Sequence, residues 1–207
     1  MYPVVYLTGA PAAGKSSVSH ALSARVRDLK VFEFGARLTE HINAFERAQH
    51  SQSDLRTQSG SISTPQHVAA VDQILLDFVA ENRRIGPVII DSHPVTKERF
   101  GFRITPYSLQ DFTKLGPTHI WMLYTPAEVA LERIASNSQG RPSITIEEAT
   151  MHTELQASVA ATYGMSLGRS VELFNSSIPT AELAEELARR LVAEGCAYSD
   201  VADAHGS

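Results

Sequence analysis

The stretch Gly9-Ala10-Pro11-Ala12-Ala13-Gly14-Lys15-Ser16-Ser17 satisfies the pattern G-x-x-x-x-G-K-[ST] at every fixed position. Before it, Val4-Val5-Tyr6-Leu7-Thr8 reads as a short buried strand. After it, Ser16 to about Leu29 reads as a helix, with Val18, Leu22, Val26 and Leu29 three or four apart. A strand, a glycine loop and a helix in this order form a phosphate cradle. Glycines let the backbone turn tightly and bring N–H groups up to an anion. The helix start adds unpaired N–H donors and the positive end of a dipole. In such a cradle Lys15 reaches the β- and γ-phosphates of ATP, and the Ser16 hydroxyl ligates Mg²⁺.

Composition bounds the rest. The chain has 207 residues, 43% hydrophobic and 20% charged, which suits one α/β domain with a substantial core. A net charge of −5 leaves no electrostatic footprint for nucleic acid or for an anionic membrane. The one cysteine, Cys196, excludes an internal disulfide framework and a cysteine-based zinc site. No apolar run approaches the roughly 20 residues that span a bilayer. The first strand starts too early for a signal peptide, so a cytoplasmic location is expected.

Downstream, Val31–Phe34 reads as a second strand ended by Gly35, followed by a helix from about Ala36 to Gln49. Ser51 to Thr64 is polar and reads as a loop or short helix. Pro65 opens a helix whose apolar face is Val68, Val71, Ile74, Leu75, Phe78 and Val79. Pro87–Asp91 is a buried strand ending in an acid, and Ser92 to Pro106 is expected to be a loop. A short helix at about Tyr107–Leu115, a strand His119–Tyr124 and a helix from Pro126 to about Ser136 follow. Thr145 and Glu148 make a capping box for a helix expected to stop at Gly164. A strand Val171–Phe174 and a helix Pro179–Glu194 complete the domain, with the tail from Cys196 expected to fray. Strands alternating with helices imply a parallel sheet covered on both faces, with ligands beyond the carboxyl ends of the strands. Thr8 and Asp91 then face one crevice.

Several polar residues could carry chemistry there. Asp91, after Val88-Ile89-Ile90, is placed to hold Mg²⁺ through water or to orient an acceptor. His93 follows in the same turn. Phosphoryl transfer builds charge that arginine neutralises well. Arg133 and Arg141 bracket a polar segment that reads as a lid, which would exclude water from the transfer. Arg37 and Arg56 fall where an acceptor-binding insertion would sit, and Arg103 is a weaker acceptor candidate. The histidines lack ligand spacing, so no metal beyond Mg²⁺ with nucleotide is expected. Trp121 reads as core.

Five stretches resemble the archaeal-type adenylate kinases, among the P-loop nucleoside monophosphate kinases. They are Val4–Ser17, Phe32-Glu33-Phe34-Gly35, Ser53-Asp54-Leu55-Arg56, Val88–His93 and Ala160-Ala161-Thr162-Tyr163-Gly164. The match is collinear from about residue 4 to 192. The resemblance implies a three-layer α/β P-loop fold with five parallel strands flanked by helices. It implies one kinase domain over residues 1–195, with an acceptor-binding segment at 36–66, a lid at 133–144 and a tail at 196–207. It also implies that Gly9–Ser17 cradle ATP and that Arg56 grips the acceptor phosphate. Arg133 and Arg141 would be lid arginines, with Asp91 and His93 lying between donor and acceptor. Gly35, Arg37 and Arg103 join the acceptor side, and homo-oligomerisation is left open. Two departures fall on that side. Thr39 stands where bacterial adenylate kinases carry an arginine, and Gly101–Tyr107 departs from the family's glycine- and proline-rich run.

Three readings follow. The first is a kinase moving the γ-phosphate of MgATP to a nucleoside monophosphate, with AMP the foremost acceptor. The second keeps the chemistry and takes a hydroxyl metabolite or nucleoside as acceptor, with Asp91 as general base. The third is an ATPase switch or assembly factor on the same fold. In all three the partner is a small molecule or a protein, not nucleic acid and not a membrane.

Overall fold

A computed structural model describes residues 1–46, 50–51, 63–136 and 144–199. The strands are β1 (Val4–Gly9), β2 (Lys30–Glu33), β3 (Val88–Asp91), β4 (Val95–Glu98), β5 (Gly101–Ile104), β6 (His119–Tyr124) and β7 (Val171–Asn175). The helices are α1 (Lys15–Arg25), α2 (Phe34–Glu46), α3 (Pro65–Asn82), α4 (Leu109–Leu115), α5 (Ala127–Ser136), α6 (Ile146–Leu167) and α7 (Thr180–Ala193). Five strands form one parallel sheet in the order β2-β3-β1-β6-β7. β1 is central, and its register pairs Leu7 with both Asp91 and Trp121.

Alternation along the strands builds two cores, because successive side chains point to opposite faces. Val5 and Leu7 join Ile89, Trp121 and Leu123 beneath α1 and α7, where Val18, Leu22, Leu183, Leu187 and Leu191 meet them. Val4 and Tyr6 join Val88, Ile90 and Ile120 on the other face, under Val71 and Leu75 of α3, Phe112 of α4 and Tyr163 of α6. This is the expected three-layer α/β arrangement. Trp121 is fully buried, as read from sequence, and its indole N–H donates to Glu172 at 2.9 Å. Thr145 and Glu148 do form the capping box of α6, at 3.1 and 3.0 Å.

Several boundaries differ from the sequence reading. The residues from Ser92 to Pro106 are not all loop: β4 and β5 form an antiparallel hairpin turning through Arg99 and Phe100. Val95 anchors it in the core, and alternation over so few residues is a weak signal. Helix α1 stops at Arg25, because Val26 turns extended and bridges Tyr198. Gly35 does not end a strand; it lies in the first turn of α2, which begins at Phe34. Gly164 is inside α6 and is a close-approach glycine instead of a stop. A Cβ there would press on the Arg169 carbonyl and Val171, and the helix ends at Gly168. Ile74, read as core, is 44% exposed. The tail does not fray at Cys196. Cys196 is buried, Arg27 N–H donates to Ala197, and Ser199 N–H donates to Arg25.

Candidate functional site

β1 and β3 end at the same edge of the sheet, and the loop after β1 rises there into α1. Gly14 is the N-cap of α1 at φ +82, a left-handed conformation that a side chain would strain, and no side chain caps the helix. The first turn, Lys15 to Ser17, therefore turns its N–H groups into a cavity of about 380 Å³. Ala12 holds φ +64 without being glycine. Its carbonyl is fixed by Arg133 Nη1 at 3.0 Å, while Arg133 Nη2 donates to the Ser176 carbonyl at 2.7 Å.

Three groups converge below the loop. Lys15 Nζ donates to the Gly9 carbonyl at 3.2 Å and lies 3.8 Å from Asp91 Oδ1. The Ser16 hydroxyl donates to Asp91 Oδ2 at 3.4 Å. Asp91 is 7% exposed, so its charge is balanced by Lys15 in a partly desolvated place. An ammonium, a hydroxyl, a carboxylate and a helix start suit a magnesium nucleotide. Lys15 and the loop N–H groups would meet the phosphates, and Ser16 with Asp91 would hold the metal.

The cavity continues past Asp91 to Glu33, Gly35 and Ala36 at the β2–α2 junction, and to His93, Thr96 and Lys97 near the hairpin. Register places Glu33 beside Asp91 on adjacent strands. Ala10 to Ser17, Gly35, Asp91, His93 and Arg133 are thus brought together as the sequence predicts. Gly9 contributes its carbonyl from the end of β1. Two acceptor candidates do not reach the lining. Arg37 pairs with Glu40 at 3.0 Å on the outside of α2, and Arg103 pairs with Glu98 at 3.1 Å across the hairpin. Arg37 directly follows the lining residue Ala36, and Arg103 pairs in register with the lining residue Thr96, but a nearby carboxylate draws each guanidinium off. Arg56 and Arg141, and most of the expected lid, lie outside the described residues.

Sequence reading missed Glu33, Thr96, Lys97, His152 and Gln156. Gln156 is fully buried in α6; its amide donates to Thr8 Oγ1 at 2.6 Å and its carbonyl accepts from Val95 N–H at 3.2 Å. His152, one turn earlier, contacts the Val95 carbonyl through Nε2 at 3.0 Å and also lines the cavity. Burial, with the charges of Lys15 and Lys97 nearby, holds its pKa down to about 4 despite the Val95 bond. The imidazole is neutral at pH 7, so Nε2–H is the donor. A His and a Gln four apart on an otherwise apolar helix face were the available signal. Among the described residues, no group of three or more His, Cys, Asp or Glu could hold a metal alone. No helix there is long and apolar enough to cross a membrane.

The fold is a three-layer P-loop fold, a five-stranded parallel sheet flanked by helices. The model of an AAA-domain family matches residues 8–150, and the chain belongs to that family. No curated protein matches the chain. Among solved structures, the tunicamycin resistance protein of Deinococcus radiodurans superposes with a TM-score of 0.59 at 15% identity, covering 96% of this chain and 99% of that one. Shikimate kinase from Bacteroides thetaiotaomicron gives 0.56 at 17% identity, covering 93% and 97%. A sugar kinase from Janibacter sp. HTCC2649 gives 0.53 at 16% identity, covering 93% and 95%. At these identities the likeness is one of fold.

Proposed function

We propose that this protein is an ATP-dependent kinase of a small molecule. The observation that carries this reading is the meeting of Lys15, Ser16 and Asp91 below an uncapped helix start, in a cavity that continues to Glu33 and His93. Bound MgATP supplies the phosphoryl group and the countercharge of the metal. The loop and Lys15 hold the phosphates, Arg133 fixes the loop backbone, and Asp91 orients the Ser16 hydroxyl. The protein's contribution is position and charge.

A hydroxyl acceptor suits the described side of the cavity best. Glu33 and Asp91 bring two carboxylates there, and Arg37 and Arg103 are turned to Glu40 and Glu98. A hydroxyl must lose its proton as it attacks phosphorus, and an ionised phosphate acceptor need not. Asp91 is engaged with Lys15 and Ser16, so Glu33 takes that proton. The alcohol oxygen forms the new bond to the γ-phosphorus, the bond to the leaving β-phosphate oxygen breaks, and ADP departs. The structural neighbours named for shikimate and sugar substrates support this acceptor class.

Transfer to a nucleoside monophosphate, AMP foremost, is the second reading. It is supported by the five motif stretches and by the open space over Gly35, where a Cβ would meet nothing within 4 Å and a planar base could lie. Incubation with MgATP and a panel of sugars, cyclic hydroxy acids, nucleosides and monophosphates tests both. A phosphorylated alcohol with AMP inert supports the first; ADP formed from AMP supports the second. ATP hydrolysis with no acceptor used overturns both and favours an ATPase switch. The single kinase domain over residues 1–195, its lid at 133–144 and the acceptor segment at 36–66 belong to the same proposal.

A further inference from the structure

We infer that Lys97, on the β4–β5 hairpin, is a second lysine for the terminal phosphoryl group of the nucleotide, held in waiting by Glu148. The inference rests on the nucleotide reading above and goes beyond the loop that motivates it. Among the described residues lining the cavity, the lysine and arginine cations are Lys15, Lys97 and Arg133. Arg133 spends its guanidinium on the Ala12 and Ser176 carbonyls. Lys15 and Lys97 both raise the positive potential at His152, so one pocket wall feels both charges.

The location of Lys97 is built, not incidental. Gln156 and His152 hold both backbone polar groups of Val95, two residues upstream. Gln156 also grips Thr8, the residue before the phosphate loop. The hairpin is thereby tied to the end of β1, and the lysine to the loop. The Lys97 ammonium lies 5.6 Å from the centre of the Phe102 ring and donates to the Glu98 carbonyl at 3.0 Å. Its ionic partner is Glu148 Oε1 at 3.2 Å, with the lysine 19% and the glutamate 36% exposed.

That pair can exchange. An ion pair with so exposed a carboxylate is weak, and a terminal phosphate carries more charge than one carboxylate. The other oxygen of Glu148 accepts Thr145 N–H at 3.0 Å, so losing Lys97 leaves the cap of α6 intact. Only a triphosphate adds the terminal group, so Lys97 should separate ATP from ADP.

The test is equilibrium titration of the full chain with MgATP and with MgADP, for wild type, Lys97→Met, Lys97→Arg and Glu148→Gln. Lys97→Met is expected to weaken MgATP about ten-fold or more and MgADP by less than about two-fold. Lys97→Arg should restore most of the difference. Glu148→Gln keeps the cap and frees the lysine, so MgATP should bind several-fold tighter, and not do so when Lys97→Met is also present. Equal weakening of both nucleotides, or no change, in a Lys97→Met protein that melts like wild type overturns the inference. If Lys97→Met does not fold, Glu148→Gln decides, and unchanged MgATP affinity overturns it. A wild-type protein that binds neither nucleotide overturns the kinase reading as well; wild-type binding with indifferent variants overturns only the role of Lys97.

Discussion

Lys15 and His152 carry opposite electrostatic tasks within one cavity. Lys15 lies 3.8 Å from Asp91, and in the proposed kinase reading its ammonium would meet the phosphates directly. Lys15→Ala is expected to weaken MgATP by about a hundred-fold, the loss of one or two charge-assisted hydrogen bonds, measurable by calorimetric titration. His152 is kept neutral by burial, and its Nε2–H donates to the Val95 carbonyl. Its pKa falls from an ordinary 6.5 to about 4. Between those values the unfolded chain binds more protons than the folded one, so stability rises with pH. Acidification from pH 6.5 to 4 should therefore cost about 3 kcal/mol through this residue alone, and no more below pH 4. Asp72 works against it. Burial raises that carboxyl from 3.8 to about 6, so it loses stability as pH rises through the same window. Denaturant unfolding of wild type and His152→Gln between pH 4 and 7 isolates the histidine: the variant should show the smaller loss on acidification.

Helix α6 links the site to the core. Its C-terminal part stacks Tyr163 on Phe112 at 3.9 Å between ring centres, and the Tyr163 hydroxyl accepts Tyr107 N–H at 2.7 Å. Its middle carries Gln156 between Thr8 and Val95. Gln156→Leu would strand a buried N–H and a buried hydroxyl, and is expected to cost about 2–4 kcal/mol in denaturant unfolding. Gly164→Ala drives a methyl onto the Arg169 carbonyl and should cost about 1–3 kcal/mol in the same measurement. The helix was legible in sequence at its start and not at its end. Thr145 and Glu148 act through neighbours three residues apart, so the cap is written locally. Gly164 and Gly168 look alike in sequence, and only the return of β7 against α6 decides which one ends the helix. The Thr162-Tyr163-Gly164 resemblance accordingly marks a packing motif here, with no group in the cavity lining.

Across the whole molecule, the parallel sheet and its central strand could be read from buried runs such as Val88-Ile89-Ile90, because strand burial on both faces leaves a continuous apolar signature. The donor half of the site was legible for the same reason: Gly9 to Ser17 is one contiguous stretch whose chemistry is set by its own backbone. The rest of the cavity wall was not. Glu33, Lys97 and His152 are 119 positions apart at the extremes, and β2, the β4–β5 hairpin and helix α6 bring them to one cavity only through tertiary packing. Arg37, and more weakly Arg103, looked suited to an acceptor, and Glu40 and Glu98 draw them off. In the proposed kinase reading this topology separates donor from acceptor along the strand edge, with Arg133 and Ser176 on the β6–β7 side and Glu33 on the β2 side. Mutations should split accordingly. Arg133→Met releases the Ala12 and Ser176 carbonyls, so the loop loses its fixed shape and MgATP affinity should fall about ten-fold, with nucleotide titration as the readout. Glu33→Gln leaves the loop untouched, so MgATP should bind as in wild type. Turnover with a hydroxyl acceptor should still fall about 10²–10⁴-fold, because the attacking oxygen keeps its proton. Equal turnover by Glu33→Gln and wild type would instead favour an acceptor that arrives already ionised, as a monophosphate does.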